Sequence, residues 1–444
     1  MSDTTEEPEK IEQEVAELES RADALRDLLK YAPRPFVIEF AGTPKSGKST
    51  SVESVRHFLN RHDFRVYLLS ERAAVCPIPM KGHLFFNTWC ASSMLAELLA
   101  NIDTDSDIIV VDRGLFDALV WLRMQENRGE LTGYEARTFE TFLLLDRWRS
   151  LIDLVVVMNV SADDALAREN AQRITRKTGS IMTGDVLATL SRSVNDAVTE
   201  YGKNFKRVLV HNTGGEDVRE SGVKITNEIL DCLEQFLNPK ILVVPREYIE
   251  RLDSTAGGNF APGSFEKALT CVKENGVFVQ RDEAEHRDDL VQIVSAGVLV
   301  RDNRVFLFQR READPKYRLY GKTTVWQGAH VQKETGKDFS DLLRETLQTR
   351  LSRNLFLSRV FQTNELGYCW DAKDPISSRH LGMMYSVTID NPHTAADLRK
   401  KAFKRKRGHS LVGEFVPWEE LKKRGDDLNL EPWSQTLLDS QSVK

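Results

Sequence analysis

The 444-residue chain carries 61 Lys and Arg against 67 Asp and Glu, a formal net charge of −6, and 41% of its residues are hydrophobic. That balance supplies real cores but no general attraction to nucleic acid or a membrane surface, and no apolar run approaches the roughly 20 residues of a membrane-spanning helix. At roughly 150 residues per domain the length implies two or three domains. The five cysteines, Cys76, Cys90, Cys232, Cys271 and Cys369, form no Cys-x-x-Cys pair. With an acidic, polar opening segment that does not read as a signal peptide, they predict a reduced, cytoplasmic protein.

The first predicted element is a helix over residues 1–30. Ile11, Val15, Leu18, Ala22, Leu25 and Leu29 recur at spacings of four and three, nearly three heptads, with charged residues on the other faces. So short a stripe has to pack on something. Two readings stand open: it lies along its own domain, or it forms a homodimer through residues 11–29.

Residues 31–238 then alternate strands and helices. Phe36 to Ala41 reads as a buried strand, and it runs into Gly42-Thr43-Pro44-Lys45-Ser46-Gly47-Lys48-Ser49-Thr50. This matches G-x-x-x-x-G-K-[ST], a loop whose backbone N–H groups cradle phosphates, whose Lys (Lys48) reaches the β/γ-phosphates and whose hydroxyl (Ser49) ligates Mg²⁺. Strand, glycine loop and helix N-terminus together make an anion site. Further strands are expected at 65–69, 107–111, 154–158 and 206–210, and a helix at 217–237. The expected fold is a doubly wound α/β parallel sheet with its ligands beyond the carboxyl ends of the strands. The third strand ends in Asp112-Arg113, where P-loop proteins hold the Mg²⁺-linked acid. Arg168, Arg173, Arg176 and Lys177 follow the fourth strand as a candidate cationic lid over transferring phosphates. Phe85, Phe86, Trp89 and Met94 could line an acceptor pocket or simply fill a helix core.

Residues 239–444 read as an α+β domain. Strands at 293–300 and 305–309 flank a turn at 301–304, more strands fall near 325–332 and 382–389, and one helix covers about 338–351. Residues 399–407 hold a run of Lys and Arg that suits a solvated face or, as an open alternative, nucleic acid or polyphosphate. His330 and His380 have no neighbouring Cys or His at zinc-like spacing, so no transition metal is expected there.

Residues 35–237 resemble the P-loop nucleoside and nucleotide kinases, the group of deoxynucleoside and thymidylate kinases. The resemblance rests on the P-loop, Glu71 after the second strand, Asp112-Arg113 and the Arg-rich segment. It implies ATP with Mg²⁺ held by Ser49 and Asp112, catalytic roles for Lys48, Asp112, Arg113, Arg168 and Arg173, and Glu71 as the group that takes the acceptor hydroxyl's proton. One departure is Arg72, where those kinases usually carry Pro; it points to an acceptor other than an ordinary nucleoside. A GTPase lacks support because no N-K-x-D element occurs, and an AAA-type machine because Arg113 follows Asp112.

Residues 290–430 resemble a degenerate Nudix domain: the hairpin Ala296 to Val300 and Val305 to Arg311, the turn Gly328-Ala329-His330-Val331, and Arg344-Glu345. The Nudix pattern calls for Glu at positions 348 and 349, and this chain has Gln348 and Thr349. A hard cation is held by carboxylates, so ordinary Nudix hydrolysis is not expected. Glu334, Asp338 and Asp341 are nearby carboxylates that read as a solvated helix start. Taken together, the chain reads as a kinase-type phosphotransferase fused to a Nudix-like domain that binds or weakly processes a nucleotide-like ligand. The alternatives are a non-enzymatic nucleotide sensor and a bifunctional kinase and pyrophosphohydrolase.

Overall fold

The computed structural model describes residues 6–32, 34–102, 104–172, 181–257, 259–309, 321–334, 336–355, 361–389, 412–424 and 428–440. Arg173, Arg176, Lys177, Arg310, Arg311 and the basic run at 399–407 lie outside them. The chain divides into two compact units, residues 1–237 and 238–444.

The first unit is a five-stranded, all-parallel sheet in the order β2-β3-β1-β4-β5, from β1 (Phe36–Gly42), β2 (Val66–Leu69), β3 (Ile108–Asp112), β4 (Leu154–Asn159) and β5 (Val208–Asn212). The helices are α1 (Glu6–Asp27), α2 (Lys48–Arg61), α3 (Leu84–Asn101), α4 (Leu115–Asn127), α5 (Gly133–Leu143), α6 (Asp146–Arg149), α7 (Ala162–Gln172), α8 (Gly184–Tyr201) and α9 (Val218–Leu237). Strands buried on both faces need apolar residues at every position, which is why β1, β3 and β4 read as continuous apolar runs. Alternation divides them: Val37, Ala41, Ile109, Val111, Val155 and Val157 join the core with α3, α4 and α8, while Phe36, Ile38, Phe40, Val110 and Val156 join α1, α2 and α9. Chain order reverses at β1, so the carboxyl ends of β1 and β3 open a crevice there.

The apolar stripe of α1 has a partner within this unit. Leu18, Ala22 and Leu25 are buried among Val52, Val55, Ile225, Ile229 and Leu233 of α2 and α9. Arg21 pairs with Asp231 at 2.5 Å and with Glu234 at 3.7 Å, and Arg219 reaches back to Glu12 at 2.5 Å. Leu18, Ala22 and Leu25 of the stripe are thus covered within the unit, while Val15 and Leu29 stay partly exposed.

The second unit is a nine-stranded mixed sheet. Its elements are β6 (Lys240–Pro245), α10 (Arg246–Ala256), α11 (Ser264–Asn275), β7 (Val277–Gln280), α12 (Arg281–His286), β8 (Leu290–Arg301), β9 (Arg304–Gln309), β10 (Thr323–Thr324), β11 (Trp326–His330), α13 (Phe339–Leu355), β12 (Gln362–Cys369), β13 (His380–Thr388) and β14 (Val412–Pro417), with short helices at Trp418–Arg424 and Pro432–Ser440. The central strand β8 is parallel to β13 on one edge and antiparallel to β6, β11 and β9 on the other. Asp302 and Asn303, at φ 47° and 58°, make the two-residue hairpin turn, a backbone twist that short polar side chains tolerate. The stretch from β6 to α12 goes beyond the elements read from sequence. Its first strand is a short apolar run between Pro239 and Pro245, with no alternation to mark it. Among the described residues no helix is long and apolar enough to cross a membrane.

The docking of α1 is testable. Leu25→Ala should remove about 2–5 kcal/mol from the first unit, read as a lower denaturation midpoint, while light scattering shows the same particle mass as the parent chain. An unchanged midpoint would mean the helix contributes nothing where it sits.

Candidate functional site

The site begins at the end of β1. Gly42 has φ 133°, and a Cβ there would stand 1.9 Å from the carbonyl oxygen of Met158 on β4. Only glycine lets the loop leave the sheet this close to its neighbour. Thr43 N–H donates to that same Met158 carbonyl at 3.1 Å, and Ser46 Oγ closes the loop on the Thr43 carbonyl at 2.8 Å. The loop then enters α2 through Gly47. Of the nine residues read as the phosphate loop, Gly42, Thr43, Ser46 and Lys48 are buried, and Gly47, Ser49 and Thr50 are exposed at the start of α2.

Lys48 is the centre of the charge pattern. Its side chain is only 5% exposed and its ammonium is paired with the carboxylate of Asp112, itself 15% exposed, at the end of β3. The next residue, Arg113, adopts a left-handed backbone at φ 64°, uncommon for a long side chain and held by its surroundings. Its N–H donates to Phe40 O at 2.9 Å, and its guanidinium meets Asp117 at 2.9 Å, Glu71 at 3.0 Å and the Gly42 carbonyl at 3.2 Å. Burial works against the charge of Arg113, but Asp117 and Glu71 outweigh it and hold its pKa above the ordinary value. Glu71, just past β2, keeps 40% of its side chain exposed. Lys48, Asp112, Arg113 and Glu71 therefore converge at the carboxyl ends of β1, β2 and β3.

Arg168 stands elsewhere. Its guanidinium donates to the carbonyl of Lys45 at 3.0 Å and to Thr213 Oγ1 and O at 3.0 and 2.6 Å. It braces the loop's backbone, with Lys45 itself pairing to Glu169 of the same helix at 2.9 Å. Arg72 turns to α3, pairing with Glu97 at 2.8 Å and donating to Ser93 at 3.0 Å. Of the aromatic group, Met94 is core and Phe85 is 64% exposed, while Phe86 and Trp89 are partly buried.

Two carboxylates escaped the sequence reading. Glu39 lies in the middle of β1, fully buried, and its Oε1 accepts the N–H groups of Gly114 and Asp117 at 3.0 and 2.9 Å. These are donors of the first turn of α4, which have no partner inside the helix. Gly114 must be glycine here, because a Cβ would come within 2.7 Å of the Glu39 carboxylate. Asp117, also buried, accepts from Gly42 N at 3.1 Å and from Trp121 Nε1 at 3.1 Å besides Arg113. The available signal was an acid inside an otherwise apolar strand, Phe-Val-Ile-Glu-Phe-Ala, and another inside the apolar helix Leu-Phe-Asp-Ala-Leu-Val.

In the second unit the carboxylates of the segment read from sequence as Nudix-like are arranged around a lysine. Lys337 pairs with Glu334 at 2.5 Å and also with Glu345. Those hydrogen bonds raise the Lys337 pKa. Arg344 turns to Glu365 at 3.5 Å, and Asp338 caps the start of α13 on Ser340 N at 3.2 Å. Gln348 and Thr349 follow on α13 with partial burial.

Glu39 carries a pH signature. Burial pushes its pKa up to about 7; the N–H bonds from Asp117 and Gly114 pull it down, and the Asp117 charge raises it again. Below the ordinary value of 4.5 the carboxyl is protonated folded or unfolded. Between there and about 7 only the unfolded chain ionises, so the stability of this unit falls as pH rises, by about 3 kcal/mol in total. Glu39→Gln should remove that part of the slope. Denaturation midpoints at about pH 5 and about pH 8 that shift equally in both proteins would refute it.

No family model matches the chain. It is 24% identical over 210 residues to Protein YmaB of Bacillus subtilis (strain 168), covering 46% of this chain and 97% of that protein. Similar solved structures include Tm1382, provisionally assigned as a Nudix hydrolase, at TM-score 0.34 and 20% identity over 46% of this chain and 97% of the other. They also include deoxyadenosine kinase from M. mycoides, solved with the product dCMP and a flexible dCDP, at TM-score 0.37 and 17% identity over 44% of this chain and the whole of the other.

Proposed function

We propose that the first unit transfers a phosphoryl group from a nucleoside triphosphate to a hydroxyl of a nucleoside or nucleotide. The convergence of Lys48, Asp112, Arg113 and Glu71 beside a glycine-shaped loop is the observation that carries this reading. Phosphoryl transfer asks for positioning and neutralised charge more than covalent chemistry. In the proposed reaction the acceptor oxygen bonds to the γ-phosphorus, the bond from that phosphorus to the β,γ-bridging oxygen breaks, and the acceptor's proton passes to the Glu71 carboxylate. Arg113 orients Glu71 through their 3.0 Å ion pair. The loop N–H groups and Lys48 hold the β- and γ-phosphates, with Lys48 exchanging Asp112 for phosphate oxygens. Ser49 and Asp112 offer a hydroxyl and a carboxylate, a donor set suited to a hard cation. Mg²⁺ held there would neutralise the phosphates' charge. Arg168 acts indirectly, by fixing the backbone of the loop at Lys45.

For the second unit we propose binding of a nucleotide-like ligand without efficient hydrolysis. The ammonium of Lys337 between Glu334 and Glu345 supports this, since it occupies the charge complement that a Mg²⁺ ion would need.

Lys48→Ala should lower phosphoryl transfer well beyond tenfold, a loss larger than about 1.4 kcal/mol of transition-state stabilisation. Glu71→Gln should reduce turnover by about 10²–10⁴ with little change in ATP affinity. The acceptor is first found by a thermal-shift screen of nucleosides and mononucleotides with an ATP analogue. Near-normal turnover in both variants would overturn the roles given to Lys48 and Glu71, and nucleotide binding without turnover in the parent chain would leave a non-enzymatic nucleotide sensor as the better description.

The second unit is tested in the full chain carrying Lys48→Ala, which removes turnover at the first. Hydrolysis of dinucleotide polyphosphates should stay at background with Mg²⁺, and Gln348→Glu with Thr349→Glu should tighten Mg²⁺ binding. Robust Mg²⁺-dependent hydrolysis, lost on Glu334→Gln, would instead make the chain bifunctional.

A further inference from the structure

In the second unit, three side chains far apart in sequence meet on one face of the sheet. His330 ends β11 and stands opposite Val294 of β8; His380 begins β13 and stands opposite Gln292 on the other edge of β8. Gln292 and Val294 are two residues apart and so share a face. Their cross-strand neighbours share it too, which brings the imidazoles of His330 and His380 to 5.4 Å between ring centroids. The short helix α12 lies over this place, tied down by Gln292 Nε2 donating to Ala284 O at 3.5 Å and by Arg379 donating to Glu285 O at 2.8 Å. It delivers Glu285. The ligand atoms of Glu285, His330 and His380 all lie within 4.8 Å of one another.

One nitrogen of the trio is left unsatisfied. His330 Nε2 is buried and has no hydrogen-bond partner, a costly state for an imidazole nitrogen. His380 donates its Nδ1–H to the Ile376 carbonyl at 2.8 Å, the kind of second-shell bond that fixes the tautomer of a metal-binding histidine and places its lone pair on Nε2. Arg281 forms an ion pair with the Glu285 carboxylate at 3.9 Å, so an ion at the trio competes with this guanidinium for Glu285.

We propose that Glu285, His330 and His380 form a binding site for a divalent transition metal of the Zn²⁺ class. Two imidazoles and one carboxylate are the donor set of three-ligand zinc sites, whose fourth position takes water or substrate. Nitrogen donors select such ions over Mg²⁺. Metal–ligand bonds of about 2.0–2.1 Å set tetrahedral donors roughly 3.3 Å apart, so side-chain rotations suffice to close the trio on an ion. The proposal uses none of the residues assigned above to either unit's site and does not depend on the functions proposed for them. The sequence expectation of no transition metal relied on local spacing, which a site assembled across β8 does not show.

The test uses the untagged full chain, stripped with a chelator and titrated with Zn²⁺ by calorimetry, and with Co²⁺ by visible absorption. One equivalent of Zn²⁺ should bind, and Co²⁺ should give the d–d bands of a four- or five-coordinate ion. Glu285→Gln, on a partly exposed helix, should keep the fold and weaken binding at least about tenfold; His330→Ala should abolish it. Should His330→Ala fail to fold, Glu285→Gln decides alone. Absence of stoichiometric Zn²⁺ binding, or unchanged affinity in Glu285→Gln, overturns the assignment; the latter places the ion on the thiols or histidines elsewhere in the chain.

Discussion

Two carboxylates cut off from water, Glu39 and Asp117, hold the first unit's site in place. A buried carboxylate needs donors, and the first turn of a helix needs acceptors; Glu39 Oε1 meets both needs, while its Oε2 stays buried without a partner. Glu39 takes the N–H groups of Gly114 and Asp117, so the central strand grips the start of α4. Asp117 in turn takes Gly42 N–H, Trp121 and the guanidinium of Arg113. One network therefore fixes the exit of β1, the left-handed backbone of Arg113 and, through Arg113, the direction of Glu71. Groups so connected behave as a unit, and losing one leaves others buried without partners.

Much of the first unit was legible because its signals are local. The loop from Gly42 to Ser49 carries its own chemistry, and strands buried on both faces announce themselves as runs such as Ile108 to Val111. What stayed hidden was relational. Glu39 looked like a flaw in an apolar strand until α4 supplied donors for it. Arg168 looked like one of several lid cations, yet its backbone acceptors at Lys45 and Thr213 lie 123 and 45 residues away. The stripe on α1 has the same pattern whether it meets a second chain or α9. His330 and His380 come together only through the register of β11 and β13 on β8.

The two lysine–carboxylate groups differ in what surrounds them. Lys48 and Asp112 are nearly withdrawn from solvent, so their mutual charge is weakly screened. Lys337, Glu334 and Glu345 are substantially exposed, where an ion pair contributes little stability and water competes at every atom. The same residue types thus make a buried, weakly screened pair in one unit and a solvated local clamp in the other.

The seating of α1 against α9 also bears on how the chain is made. These are the first and last helices of their unit, and the apolar stripe on α1 lacks Ile225, Ile229 and Leu233 of its cover until α9 exists. Synthesis runs at about 5–20 residues per second, so on the ribosome α1 spends roughly 10–40 s with that stripe open before its partner emerges. During that interval Leu18, Ala22 and Leu25 are the surface a nascent-chain chaperone would find. Their charged flanks, Glu12, Arg21 and Arg26 among them, keep the waiting helix in solution until Arg219 and Asp231 arrive to meet it.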